Sequence, residues 1–77
     1  MERFKIVTIV PAYNEENSIS NIIRDLKNYS DVIVVDDNSS DKTYSLAKKN
    51  DVFLIKNKKN LGYEKSLSIG LFKAIEL

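Results

Sequence analysis

The stretch Val32-Ile33-Val34-Val35-Asp36-Asp37-Asn38-Ser39-Ser40-Asp41 passes abruptly from an unbroken apolar run to carboxylates, hydroxyls and an amide. Four consecutive β-branched residues without alternation predict a strand covered on both faces, the usual state of a strand in a parallel sheet. The polar cluster behind it has the composition of a strand-to-helix turn. Working outward, Ile6 to Val10 and Val52 to Ile55 are further short, β-branched runs, so three strands are expected.

The segments between them carry helical periodicity. Ile19, Ile22, Ile23 and Leu26 recur at i, i+3, i+4 and i+7, one stripe of a helix predicted from about Glu15 to Asn28. Asn14 is placed to cap it, with Glu15 and Glu16 against its positive end. A shorter helix is expected over Lys42 to Lys49, with Tyr44, Leu46 and Ala47 as its apolar content. Leu67, Leu71, Ala74 and Ile75 predict a last helix running from about Tyr63 to the end. The apolar Leu77, with no stop signal after it, reads as a cut inside a longer fold. The expected fold is α/β: a three-layer αβα arrangement with a parallel sheet of three βα units, incomplete on its C-terminal side.

In such a sheet the ligand crevice lies at the carboxyl ends of the strands, where every polar cluster falls. Pro11-Ala12-Tyr13-Asn14-Glu15 follows the first strand and combines a ring able to lie against a base with helix N–H groups that favour anions. The same residues also read as a strand stop, a packing ring and a cap. At Asp36-Asp37 side chains alternate in direction, so one carboxylate can face the crevice while the other is held by backbone N–H groups. Asn38, Ser39 and Asp41 read best as capping and loop-ordering residues. Gly62 suits a close backbone approach or a positive φ, and Lys58, Lys59 and Lys65 can sit near phosphates. As a surface feature, the run Lys56-Asn57-Lys58-Lys59-Asn60 reads as a solvated loop.

The 77 residues are 43% apolar and 30% charged with a formal net charge of +1, which suits one small domain and gives no electrostatic case for nucleic acid. There is no Cys and no His, which removes disulfides, thiolate–zinc sites, thiol nucleophiles and imidazole chemistry. Neither GxGxxG nor GxxxxGK[ST] occurs, so dinucleotide-binding and P-loop enzymes lose their main support. After Met1-Glu2-Arg3-Phe4-Lys5, too few apolar residues precede Pro11 to form a signal peptide core or membrane span. A cytoplasmic location is expected, with the full-length protein able to lie against the inner face of a membrane.

Three segments taken together carry a family resemblance: Ile9-Val10-Pro11-Ala12-Tyr13-Asn14-Glu15-Glu16, Val32 through Asp36-Asp37-Asn38-Ser39-Ser40-Asp41-Lys42-Thr43, and Asn60-Leu61-Gly62. In this order and spacing they resemble the opening of family-2 glycosyltransferases of the GT-A fold. The part with Gly62 and Gly70 is most similar to polyprenyl- and dolichyl-phosphate sugar synthases. The resemblance implies an inverting transfer from a UDP- or GDP-sugar to an acceptor hydroxyl or polyprenyl phosphate. It places the donor's nucleotide against Pro11, Ala12, Tyr13, Glu15 and Asp37, with Lys58 or Lys65 near the diphosphate and Asp36 and Gly62 in supporting roles. Glu64 departs from the family's small residue at that position, against a close phosphate approach there. The family's Asp-X-Asp metal motif for Mg²⁺ or Mn²⁺, its base and its acceptor site are expected after Leu77. No catalytic residue or metal ligand is therefore assigned within the chain, and the chain alone is expected to be inactive.

Two other readings compete. A receiver-like or Mg²⁺-binding regulatory module also uses an Asp pair after a buried strand, but wants it after the first strand and a further Asp after the third, where this chain has Lys56-Asn57-Lys58. An interaction fragment would pair its open sheet edge with another chain, so self-association is expected.

Overall fold

The computed structural model describes residues 6–77; the reading of Met1 to Lys5 lies outside them. The elements run β1 (Val7–Ala12), α1 (Ile19–Lys27), β2 (Asp31–Asp36), α2 (Thr43–Lys48), β3 (Phe53–Lys56) and α3 (Tyr63–Glu76). The strands form one parallel sheet in the order β1-β2-β3. The central strand is β2, and Val32, Ile33, Val34 and Val35 are all buried, as their unalternating apolarity predicts.

The helices divide between the two faces. Ile19 and Ile23 of α1 and Ala47 of α2 form a core with Val32 and Val34. The alternate residues Ile9 and Val35 lie against Gly70 of α3, which packs across β1 and β2. The three-layer α/β arrangement follows. Among the described residues no helix is long and apolar enough to cross a membrane.

Three expectations about boundaries and faces need correcting. β1 continues through Pro11 to Ala12 rather than stopping at the proline. Pro11 is opposite Val35 in an edge strand, where a residue without an N–H is tolerated if its nitrogen faces away from the neighbour. α1 starts at Ile19, not near Glu15, and has no acidic residue in its first turn. Asn14 adopts φ 53° and caps nothing. The N–H groups of residues 14–16 are taken by side chains of the loop after β2, so bonds between loops replace the first helical turn. Ile22 is correspondingly more exposed than its place in the apolar stripe implied.

In α3 the extent is as expected but the face is not. Leu71 and Ile75 are 51% and 80% exposed, while Ser66 and Gly70 are buried. A Cβ at Gly70 would overlap the Ile9 Cγ2 and lie 3.3 Å from the Val35 Cγ2. The helix thus approaches the sheet through its small residues, and that rotation turns the larger ones outward.

The register sets up everything at the carboxyl end of the sheet. Ala12 is opposite Asp36 and Asp36 is opposite Lys56, so the three strands end level. The ladder extends one step further, with the Asp37 N–H donating to the Ala12 carbonyl and the Asn57 N–H to the Asp36 carbonyl, each at 2.8 Å. Residues 13, 37 and 57 therefore leave the sheet side by side.

Candidate functional site

Two sets of hydrogen bonds organise the loops that emerge there. The first joins the loop after β1 to the loop after β2. The backbone N–H groups of Asn14, Glu15 and Glu16 donate to Ser39 Oγ (2.9 Å), Thr43 Oγ1 (2.8 Å) and Asp41 Oδ2 (3.2 Å). In return Asn14 Oδ1 accepts the Ser40 N–H at 2.9 Å. The left-handed turn at Asn14 brings these donors round to one partner loop; Asn tolerates that conformation better than most residues. Asn38 takes φ 61° in the same loop. Asp41 also accepts both the backbone N–H and the hydroxyl of Thr43, so it orders the start of α2 and the loop opposite at once.

The second set centres on Asp37, which is only 5% exposed. Its Oδ1 accepts the Asn57 side-chain amide at 2.9 Å and the Leu61 N–H at 2.7 Å, and its Oδ2 accepts the Gly62 N–H at 2.9 Å. The Asn57 amide also donates to Ser66 Oγ at 3.0 Å, and the Asn60 amide reaches the Asp37 carbonyl at 3.4 Å. One carboxylate thereby closes the whole loop of residues 57–62. Gly62 can point its N–H inward because its φ is 94°, a conformation that side chains resist. Its surroundings are open to a Cβ, so of the two reasons for glycine it is the positive φ that applies.

Burial alone would raise the Asp37 carboxyl, but the N–H donors of Leu61, Asn57 and Gly62 together with the Ser66 hydroxyl outweigh it and hold the pKa below the usual Asp value. Asp41 is lowered in the same way: burial opposes, and donors from Thr43 and Glu16 prevail. Asp36, next in the chain, alternates to the α1 and α2 face. There its Oδ2 accepts the Ser39 N–H at 3.3 Å and its buried Oδ1 has no protein partner.

Between β1, Asp37 and the start of α3 lies an open cleft of about 410 Å³. Pro11 and Ala12 form its strand side, Tyr13 and Glu15 its first rim, Asp37 and Ser66 its inner end, and Asn60, Gly62 and Tyr63 the opposite rim. Both tyrosines are exposed, so the cleft offers two aromatic rings around one fixed carboxylate. Such a site can take a flat, partly apolar ligand that carries a hydrogen-bond donor.

Of the residues singled out from sequence, Pro11, Ala12, Tyr13, Glu15, Asp37 and Gly62 come together around the cleft. Lys58 and Lys65 do not line it; both are exposed on its outside. Asn38, Ser39 and Asp41 lie in the clamp between the loops. Sequence reading passed over Asn57, Ser66 and Thr43, all buried polar residues. Asn57 looked like part of a basic surface loop, although its place directly after β3 matches that of Asp37 after β2. Nothing in the pattern marked Ser66 beyond its spacing of four from Gly70. Among the described residues no group of three acidic side chains is placed to hold a metal ion.

The profile of glycosyl transferase family 2 matches residues 7–75. A UDP-N-acetylglucosamine–dolichyl-phosphate N-acetylglucosaminyltransferase of Methanococcus voltae is 37% identical over 94% of this chain and 36% of its own length. Two uncharacterised proteins of Methanocaldococcus jannaschii are 39% and 37% identical, over 87% and 94% of this chain and 28% and 34% of theirs. The chain spans about a third of the length of the curated relatives it matches.

Proposed function

Because the chain belongs to glycosyl transferase family 2, we propose that its cleft holds the nucleotide of a UDP- or GDP-sugar donor. The transfer would be an inverting one, to an acceptor hydroxyl or a polyprenyl phosphate. The observation that carries this reading is the Asp37 carboxylate fixed at the inner end of a cleft with Tyr13 and Tyr63 on its rims. An ionised carboxylate has about four lone-pair positions, of which three accept N–H donors here; the fourth is within reach of the rotatable Ser66 hydroxyl, which can yield it to an N–H or hydroxyl of the ligand. Tyr13 is suited to stack on the base, while Pro11, Ala12 and Glu15 shape the wall that receives it. The name of the Methanococcus relative, with a UDP-sugar donor and a dolichyl-phosphate acceptor, supports UDP as the first nucleotide to try.

Lys58 and Lys65 would meet a diphosphate only where it leaves the cleft, since neither lines it. The Mg²⁺ or Mn²⁺ that such a transfer uses would neutralise the departing nucleoside diphosphate. The described residues offer it no set of ligands: Asp37 is engaged by N–H donors and Asp36 sits on the other face of the sheet. On this reading the chain binds a nucleotide and does not turn it over. A regulatory Mg²⁺ module is disfavoured by those same donors, because a metal-binding carboxylate needs its lone pairs free.

Calorimetric titration with UDP and GDP, with and without Mn²⁺, tests the proposal. Binding of one nucleotide, lost in Tyr13→Ala and Asp37→Ala, is expected. Tight Mg²⁺ binding without nucleotide binding would overturn it.

A further inference from the structure

The Asn57 side chain is buried, and the proposed function gives it no contact with a ligand. Its amide nitrogen nevertheless spends both protons on functional neighbours, Asp37 Oδ1 at 2.9 Å and Ser66 Oγ at 3.0 Å. Both acceptors line the cleft, while Asn57 itself lies behind them. We propose that Asn57 is a positioning residue for the cleft: it fixes the orientation in which the Asp37 carboxylate meets the ligand, and it ties that carboxylate to α3 through Ser66.

The strand register makes this arrangement possible. Asn57 follows β3 as Asp37 follows β2, and the Asn57 N–H bonds to the Asp36 carbonyl at 2.8 Å, so the two side chains leave neighbouring strands at the same level. Leu61 and Gly62 hold the carboxylate from the loop, and Asn57 holds it from behind. An anion does not suit this place. A carboxyl of the same shape would face Asp37 as a second anion, and two such groups in contact share one proton. Above the ionisation of that pair the donor is lost and the carboxylates repel; below it the single proton of the protonated carboxyl restores the bond to Asp37, though not the second bond to Ser66.

Other titratable groups surround the site. Tyr13 and Glu15 face the cleft from the loop after β1, Tyr63 from α3, and Asp36 lies on the other side of β2. Lys56 on β3, Lys58 and Lys59 on the following loop, and Glu64 and Lys65 at the start of α3 flank the site in sequence. All of these groups are present in every variant, so their effects cancel in a ratio to the unsubstituted chain.

This inference rests on the nucleotide reading, and the experiment separates the two. UDP and GDP affinities of the full chain, Asn57→Asp and Asn57→Ala are measured between pH 5 and 8, with circular dichroism to confirm folding. At pH 8 the Asn57→Asp affinity is expected to fall about ten- to a hundredfold, the worth of one hydrogen bond to a charged group, and to recover toward the unsubstituted chain as the pH drops to 5. Asn57→Ala keeps the Leu61 and Gly62 bonds and is expected to lose affinity by a similar factor at every pH. An Asn57→Asp affinity equal to that of the unsubstituted chain at pH 8, or a loss of the same size at every pH, would overturn the inference.

A carbon-13 NMR titration of the Asp37 carboxyl needs no ligand and gives an independent reading. Asp37 is expected to titrate higher in Asn57→Ala than in the unsubstituted chain, and an unchanged Asp37 titration would overturn the positioning role. If the unsubstituted chain binds neither nucleotide, the function reading fails, and this titration still decides whether Asn57 sets the carboxylate.

Discussion

Asp37 carries more of this structure than any other side chain, since it joins β2, the loop of residues 57–62 and, through Asn57, helix α3. Asp37→Asn keeps the shape but sets an amide donor against backbone N–H groups. It is expected to lower unfolding free energy by about 1–3 kcal/mol, the cost of buried donors left without acceptors, as read by urea denaturation. The acid limb of stability follows from the same bonds. Asp37 and Asp41 are both lowered in the folded chain, so in acid the unfolded chain binds more protons. Their contribution is complete above the ordinary Asp value of about 3.9 and is lost as the pH falls through it toward the folded values. Unfolding midpoints measured from pH 7 down to 2 should stay level on this account until about pH 4 and then drop. In Asp37→Asn that drop should be shallower.

At the scale of elements, two glycines act for different reasons. Gly62 reverses the chain into α3 at positive φ with open space around it, whereas Gly70 sits where any side chain would strike Ile9. Gly62→Ala is expected to cost about 1–2 kcal/mol from backbone strain. Gly70→Ala is expected to cost about 1–3 kcal/mol through overpacking, despite the better helix propensity of alanine. If Gly70→Ala instead raised the urea midpoint, the close packing of α3 on β1 and β2 would be wrong. The periodicity of α3 revealed its length but pointed to Leu71 and Ile75 as its buried face. A hydrophobic stripe records where large apolar residues lie; it cannot register a contact made by small residues that permit close approach. The late start of α1 has a similar origin, because the acceptors that draw off the N–H groups of Asn14, Glu15 and Glu16 lie more than twenty residues away in the chain.

At the scale of the whole molecule, the rotation that buries Ser66 and Gly70 leaves Leu71, Phe72 and Ile75 exposed together on α3, with Phe72 at 71%. Among the described residues β1 is also paired on one side only. Apolar surface and an open sheet edge both favour association. Sedimentation equilibrium is expected to show concentration-dependent mass at micromolar concentration, reduced in Phe72→Lys. A strictly monomeric chain would count against that expectation.

The amino-acid sequence by itself determined the class of fold, the order of its elements and the location of the cleft. These depend on local quantities: unbroken β-branched runs, helical periodicity, and polar clusters placed directly after strands. The resemblance of its motifs to family-2 glycosyltransferases also pointed to Tyr13 and Asp37; strand-end position alone did not separate Asp37 from Asp36, which leaves β2 toward the other face. Tertiary structure alone decided which groups hold them. The level ending of β1, β2 and β3 set Asn57 beside Asp37, and the close approach of α3 brought Ser66 to both. Partnerships between residues separated by nine to 28 positions arise from strand register and helix rotation. No single segment of the sequence encodes either one.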